Sequence, residues 1–242
     1  TQAEKSTRVE NVITPYSEEM QESMETVIGT ISTNMSAERI PEPFSPGESP
    51  TGSKAAYIVA KAFASSNPRI DVAIQNVGGV RSALYEGEIT VSQAITTLPF
   101  SNTVVMMDMT GEEIIRVLNQ GAYYSLNSGS TGAFPAAANL RYDAFLSEEE
   151  GEVIQNVEVK GEDGQWTEIS LTDKYTVATN SFTALGKDNY LEFERVRDKE
   201  SANFEDTYIN YSVPLIEYIE GLPNKTLPEI DPDDYYLKSV TE

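Results

Sequence analysis

Three short segments of this sequence combine residue types that can hold a small polar ligand. Asn76 to Arg81 (NVGGVR) follows an apolar run. Its glycines, Gly78 and Gly79, leave room for a ligand to approach the backbone, and Arg81 offers a planar fork for an anion. Leu98 to Asn102 (LPFSN) places Phe100 close to the amide of Asn102, an aromatic face beside a group that can read a ring edge. Asn180 to Tyr190 (NSFTALGKDNY) carries Phe182 and the carboxylate of Asp188 in what reads as a loop leaving a strand. Taken singly, each segment also has a bland reading: a tight turn, core phenylalanines, loop chemistry. Taken together they supply aromatic faces for a base, an acceptor for sugar hydroxyls and a cation for phosphate.

Much other chemistry is excluded by composition. The chain has no histidine and no cysteine, so imidazole bases, His-based triads, thiolate metal sites and disulfides are all absent. A formal net charge of −22 sets the chain against nucleic acid, whose binding depends on cationic neutralisation of phosphates, and points to a solvated acidic surface. Gly47 to Lys54 (GESPTGSK) is a false phosphate loop, because Ser53 and Lys54 stand in the reverse of the required order. It reads as a proline-rich linker. Asp231, Asp233 and Asp234 lack the glycine and closing glutamate of a calcium loop and read as a solvated tail. Glu148, Glu149 and Glu150 single out no acid–base pair. No apolar run reaches about 18 residues, and the start TQAEKSTRVE has no basic head followed by an apolar stretch. Membrane insertion is therefore not expected.

The elements that must position these segments follow from periodicity. A chain of 242 residues with 39% hydrophobic content can form one large domain. Thr14 and Pro15 read as cap and first position of a helix carrying Met20, Met24, Val27 and Ile28. Prolines between Ile40 and Ser53 predict a loop. A helix is expected over Lys54 to Ala64, a buried strand over Ile70 to Gln75, a short segment near Val91 to Ile95, and a strand over Thr103 to Met109. Thr110 and Glu113 form a capping box for a helix bearing Ile114, Ile115, Val117 and Leu118. Ser125 to Ala138 reads as a surface loop. Further strands are expected at Leu140 to Ala144, Val153 to Lys160 and Tyr175 to Thr179, a turn at Gly161 to Gln165, and a last helix at Pro214 to Ile219. Strands and helices do not alternate strictly, which predicts an α+β fold, a mixed β-sheet with flanking helices.

The order and spacing of NVGGVR, LPFSN and ATNSFTALGKDNY resemble the C-terminal domain of the 5′-nucleotidase family, which typically reads NGGGIR, LPFGN and TNxFxxxGGDGY. The likeness extends to the helix sequence MTGEEIIRVL, the strand LRYDA and the amphipathic lead-in helix ending VIG. It implies a substrate-binding domain at residues 41–242, with residues 1–40 as helix and linker from a missing N-terminal catalytic domain. By the same resemblance, Phe100 and Phe182 sandwich a nucleobase, Asp188 binds ribose, and Asn76 and Asn102 lie near the base. Gly78 and Gly79 belong to the first binding motif, Arg81 contacts phosphate or sugar, and Arg39 is a further arginine of the site. Two divalent metal ions are implied in the missing domain and none in this chain, which alone would not hydrolyse nucleotides. A periplasmic, cell-surface or secreted location is implied as well. Val77, Lys187 and Asn189 stand where the family has glycines, and Ser45 lies nearest a second expected arginine. A different class also fits those departures: a structural or interaction domain that keeps the fold with an altered pocket.

Overall fold

The computed structural model describes residues 19–127 and 130–242. Its centre is a five-stranded mixed sheet in the order β10-β4-β9-β2-β5, built from β2 (Val72–Asn76), β4 (Thr103–Thr110), β5 (Pro135–Ala138), β9 (Lys174–Asn180) and β10 (Glu205–Asn210). β2 and β9 are parallel, while β4 runs against β9 and β5 against β2. The interior strands are buried on both faces. All five positions of β2 are buried, which is why Val72, Ala73 and Ile74 run apolar without alternation before the buried amides Gln75 and Asn76.

Helix α1 (Lys54–Ser65) packs on β2, β5 and β9 through Ala55, Ala56, Ile58, Val59 and Ala62. Ser53 caps it, accepting a hydrogen bond from the Ala56 N–H at 3.2 Å. The GESPTGSK segment thus serves as the approach to a helix cap. After β3 (Gly87–Thr90) comes the short helix α2 (Val91–Thr97), closed by a capping box between Thr90 and Gln93. Helix α3 (Gly111–Asn127) follows β4 and starts at the expected Thr110–Glu113 box, with bonds of 2.9 and 3.3 Å. A second sheet, β12-β6-β7-β8, comprises β6 (Leu140–Phe145), β7 (Ile154–Lys160), β8 (Trp166–Glu168) and β12 (Leu237–Thr241). Tyr57, Tyr142, Tyr235 and Tyr236 pack ring on ring between α1 and this sheet. A third, small sheet joins β1 (Val27–Ile31) to β3 and to β11 (Thr226–Leu227).

Several expectations are corrected. Val27 and Ile28 do not continue a helix. The helical segment ends at residue 25, and Val27–Ile31 pairs with β3 and β11, burying Ile28 and Ile31. Thr14 and Pro15 lie outside the described residues. The stretch from Ser125 to Ala138 is not one surface loop: α3 runs to Asn127, and Pro135–Ala138 is a buried edge strand whose small side chains fit against α1. Asp234 is not a solvated tail residue. It accepts hydrogen bonds from Lys61 at 2.8 Å, from Lys160 and from Tyr57, tying the C-terminal segment to α1 and β7. The mixed α+β architecture stands as expected.

Two largely buried carboxylates hold α5 (Leu191–Arg197) against α3. Glu192 bonds Arg116 at 3.1 Å and Arg195, while Glu113 accepts from Lys199 and from Arg195 at 3.3 Å. Burial works to raise both glutamates. The hydrogen bonds and cations around them outweigh it and hold both below the ordinary 4.5. A carboxylate lowered by folding contributes stability that is present above its unfolded value and lost as pH falls through its folded one. The melting temperature is therefore expected to fall as pH drops below about 4.5. A Glu192→Gln variant should be less stable at neutral pH and show a shallower acid decline. Thermal melts followed by circular dichroism from neutral pH to about pH 3 check this.

Candidate functional site

Strand direction brings the three sequence segments to one place. β2 and β9 both end where β4 begins, because β4 runs against β9 in the register Val104 to Asn180. The turns carrying Val77–Gly79, Leu98–Asn102 and Ser181–Asp188 therefore project from the same end of the central sheet. A cleft of about 280 Å³ opens there, lined by Arg39, Asn76, Gly78, Gly79, Arg81, Phe100, Asn102, Phe182 and Asp188, with Ser130 and Gly132. Every residue named from the sequence as a candidate for binding substrate lines this one cleft. Ser45 does not: Phe44 beside it exchanges hydrogen bonds of 3.0 Å with Val240, which holds that loop against β12.

The two phenylalanines are held by their loops rather than by the core. Phe100 and Phe182 remain 47% and 37% exposed, and among the described residues neither packs on another aromatic ring. Such rings are left uncovered at a cost unless something apolar stacks on them. The Phe100 loop is anchored by Tyr211, whose hydroxyl accepts from the Phe100 N–H at 3.1 Å and donates to the Gly79 carbonyl at 3.3 Å. Burial of this tyrosine pushes its hydroxyl up to about 12, so at neutral pH it stays protonated and able to donate. Asn102 passes its carbonyl to the Tyr211 N–H at 3.0 Å and leaves its side-chain amide to the cleft.

The arginines are the electrostatic signature of the cleft. Arg69, Arg116, Arg141, Arg195 and Arg197 each meet a carboxylate. Arg81 meets none. It donates to the Gly78 carbonyl at 3.2 Å and lies 5.9 Å from the Phe100 ring centre. Arg39 has no hydrogen-bond or ion-pair partner among the described residues. Two cations without ion-pair partners among the described residues thus stand at one cleft in a chain of net charge −22.

Asp188 faces them from the third loop. It sits at φ 56 with Asn189 at φ 64, after Gly186 at φ 74. Asn replaces the family's glycine at a left-handed position that it adopts more readily than most residues. Lys187 has no such conformation, and Val77 is buried in the core. Those departures from the glycine pattern are accommodated by the backbone. Asp188 accepts at one oxygen, Oδ2, from Asn76 Nδ2 at 2.8 Å. Asn76 is in turn held by the buried side chains of Gln75 and Asn180.

Four features of the site escaped sequence reading. Gln75 and Asn180 were signalled only by being amides at the ends of apolar strands. Tyr211 carried no motif. Gly132 sat in a Gly/Ser/Ala-rich stretch, yet its Cα would lie 2.7 Å from a Cβ placed on Gly78. Both backbones pass too close for any side chain. Among the described residues no group of histidine, cysteine and carboxylate side chains is arranged to hold a metal ion, and no helix is long and apolar enough to cross a membrane.

The loops of this mixed-sheet domain gather exposed rings, amides and unpaired arginines in one cleft. The family model described as "5′-nucleotidase, C-terminal domain" matches residues 27–195. The chain is 34% identical over 204 residues to a probable 5′-nucleotidase of Treponema pallidum, covering 82% of this chain and 33% of the relative. It is 32% identical over 223 residues to the NAD 5′-nucleotidase of Haemophilus influenzae, covering 90% of this chain and 37% of the relative. The solved structure of the Haemophilus influenzae NAD nucleotidase superposes with a TM-score of 0.84 at 30% identity, over 98% of this chain and 42% of that one. A 5′-nucleotidase precursor from Thermus thermophilus gives 0.70 at 26% identity, over 92% of this chain and 43% of that one. The chain belongs to the 5′-nucleotidase family, within its C-terminal domain. It spans about a third of the length of these curated relatives.

The anchoring of the cleft is testable. A Cβ on Gly79 would lie 2.4 Å from Gln75 Nε2, so Gly79→Ala is expected to cost about 1–3 kcal/mol by overpacking. Tyr211→Phe leaves the Phe100 N–H unpaired and should cost about 1 kcal/mol. Urea unfolding monitored by the single tryptophan reads both.

Proposed function

We propose that this chain is the substrate-binding domain of a 5′-nucleotidase-type metallophosphoesterase, holding a nucleoside or nucleotide while a separate N-terminal domain performs hydrolysis. The observation that carries the reading is the convergence, in one cleft, of two uncovered phenylalanine rings, a half-buried carboxylate and two arginines without counter-ions. Each part matches one part of a nucleotide. Phe100 and Phe182 stack on the base, Asn102 offers its amide to the base edge, Asp188 accepts from ribose hydroxyls, and Arg39 and Arg81 orient phosphate. Names of the relatives, a 5′-nucleotidase and an NAD 5′-nucleotidase, point to the same substrate class.

Hydrolytic chemistry would come from two divalent ions in the N-terminal domain, since the described residues of this chain offer them no site. This chain alone is then a binder without turnover. The link to the catalytic domain lies ahead of β1, which begins at Val27 and pairs within this domain. A location outside the cytoplasm belongs to the same reading.

Adenosine and AMP titrated calorimetrically into the folded chain are expected to bind. Phe182→Ala should weaken both by about tenfold or more, the worth of one stacking face. Arg81→Ala should weaken AMP more than adenosine. AMP incubated with the chain and a divalent metal should release no phosphate. A folded chain that binds neither ligand would sink the proposal and favour an interaction domain with an altered pocket.

A further inference from the structure

The nucleotide reading assigns Asp188 to ribose but leaves open what keeps that carboxylate oriented. A buried chain of amides supplies the answer. Asn180 Oδ1 accepts from two backbone N–H groups, those of Phe182 and Thr183, each at 3.1 Å. An amide nitrogen cannot accept from an N–H, so this cap leaves Asn180 only one orientation. Its Nδ2 must point the other way, where it donates to Gln75 Oε1 and Asn76 Oδ1, each at 3.0 Å.

With its oxygen engaged by Asn180, Gln75 presents its Nε2 to the Asn76 carbonyl at 2.8 Å and to Asn76 Oδ1 at 3.2 Å. Asn76 Oδ1 therefore receives donors from two sides. Its own Nδ2 can only face outward, and it reaches Asp188 Oδ2 at 2.8 Å. Gln75, Asn76 and Asn180 are 0%, 3% and 0% exposed, so water does not reverse any of these amides. No buried side-chain polar atom among the described residues lacks a partner. The sense of the whole chain is thus dictated by two backbone N–H groups at the start of α4 (Ser181–Ala184).

We propose that Asn180, acting through Gln75 and Asn76, is a positioning residue that makes Asp188 selective for the vicinal hydroxyls of ribose over 2′-deoxyribose. The inference rests on the nucleotide-binding reading above. A donor fixed on Oδ2 holds the carboxylate in one orientation and leaves Oδ1, which no described residue hydrogen-bonds, with both lone pairs free to accept from two neighbouring hydroxyls. The same residue caps the turn that carries Phe182, so one side chain sets both the stacking ring and the hydroxyl acceptor.

The experiment titrates adenosine and 2′-deoxyadenosine into the full 242-residue chain and into Asn180→Asp. The aspartate still accepts from the Phe182 and Thr183 N–H groups, so the stacking ring keeps its place. Its second oxygen, however, faces Gln75 Oε1 and Asn76 Oδ1, both acceptors. Relief comes by rotating those amides, which turns the Asn76 oxygen toward Asp188.

The wild-type chain is expected to prefer adenosine by about tenfold or more, the worth of a hydrogen bond to a charged acceptor. In Asn180→Asp that preference should fall to about twofold or less, with deoxyadenosine affinity kept within about threefold. Equal weakening of both nucleosides, or a wild-type chain without ribose preference, overturns the inference while leaving nucleotide binding intact. Failure of the folded wild-type chain to bind either nucleoside instead overturns the underlying reading, and this inference with it. Thermal melts establish that the variant is folded. If it is not, Asn180→Ser keeps a good cap and removes the amide donor. It should lower the ribose preference several-fold, and an unchanged preference would refute the proposal.

Discussion

β2 and β9 lie parallel and adjacent in the central sheet, with β4 and β5 running against them on either side, and the cleft depends on that arrangement. The two parallel strands end at the same edge at which the two antiparallel strands begin. Loops that are far apart in sequence, around residues 78, 100, 132 and 186, are thereby forced to share one small volume. Burial of β2 on both faces makes the arrangement hard to alter, since a slip of one residue would carry its polar ends, Gln75 and Asn76, out of the amide chain. The glycines in these loops answer the crowding that results. Gly78 and Gly132 exist as glycines because two backbones meet there.

Charge is distributed to the same end. An acidic surface neutralises most cations of the chain locally, as the ion pairs of Arg69, Arg116, Arg141, Arg195 and Arg197 show. Exposed pairs of this kind contribute little stability each. Their larger effect is contrast: against a field of net charge −22, Arg39 and Arg81 alone among the described arginines meet no carboxylate. The carboxylates Glu113 and Glu192 do structural service at a distance, fastening α5 to α3 directly after the loop that carries Asp188. Tyr211 does the same for the Phe100 loop from the core side.

Legibility varied with how local the cause of each element is. α1 and α3 were readable because an amphipathic stripe and a capping box lie within one or two helical turns of sequence. β1 was misread as helix because Val27 and Ile28 continue the spacing of Met20 and Met24, and only pairing with β3 and β11 makes that stretch extended. β5 was misread as loop because its run of alanines has little strand preference of its own. Its place is set by the space between β2 and α1. Asp234 looked like any exposed acid until α1 and β7 brought Lys61 and Lys160 to it.

Residue chemistry at each motif was determined by the sequence alone: aromatic faces, an anion fork, an acceptor, glycines where backbone must pass closely, and the exclusion of histidine and thiolate chemistry. The α+β class was determined there too, because it follows from local periodicity. Only the tertiary structure decided that these groups form one cleft, that Gly132 belongs to it, and that Gln75 and Asn180 orient Asn76 toward Asp188. Hydrogen-bond polarity passed between strands 105 residues apart depends on which side chains face each other across the sheet. That is settled by strand order and register, which are long-range properties no short segment encodes.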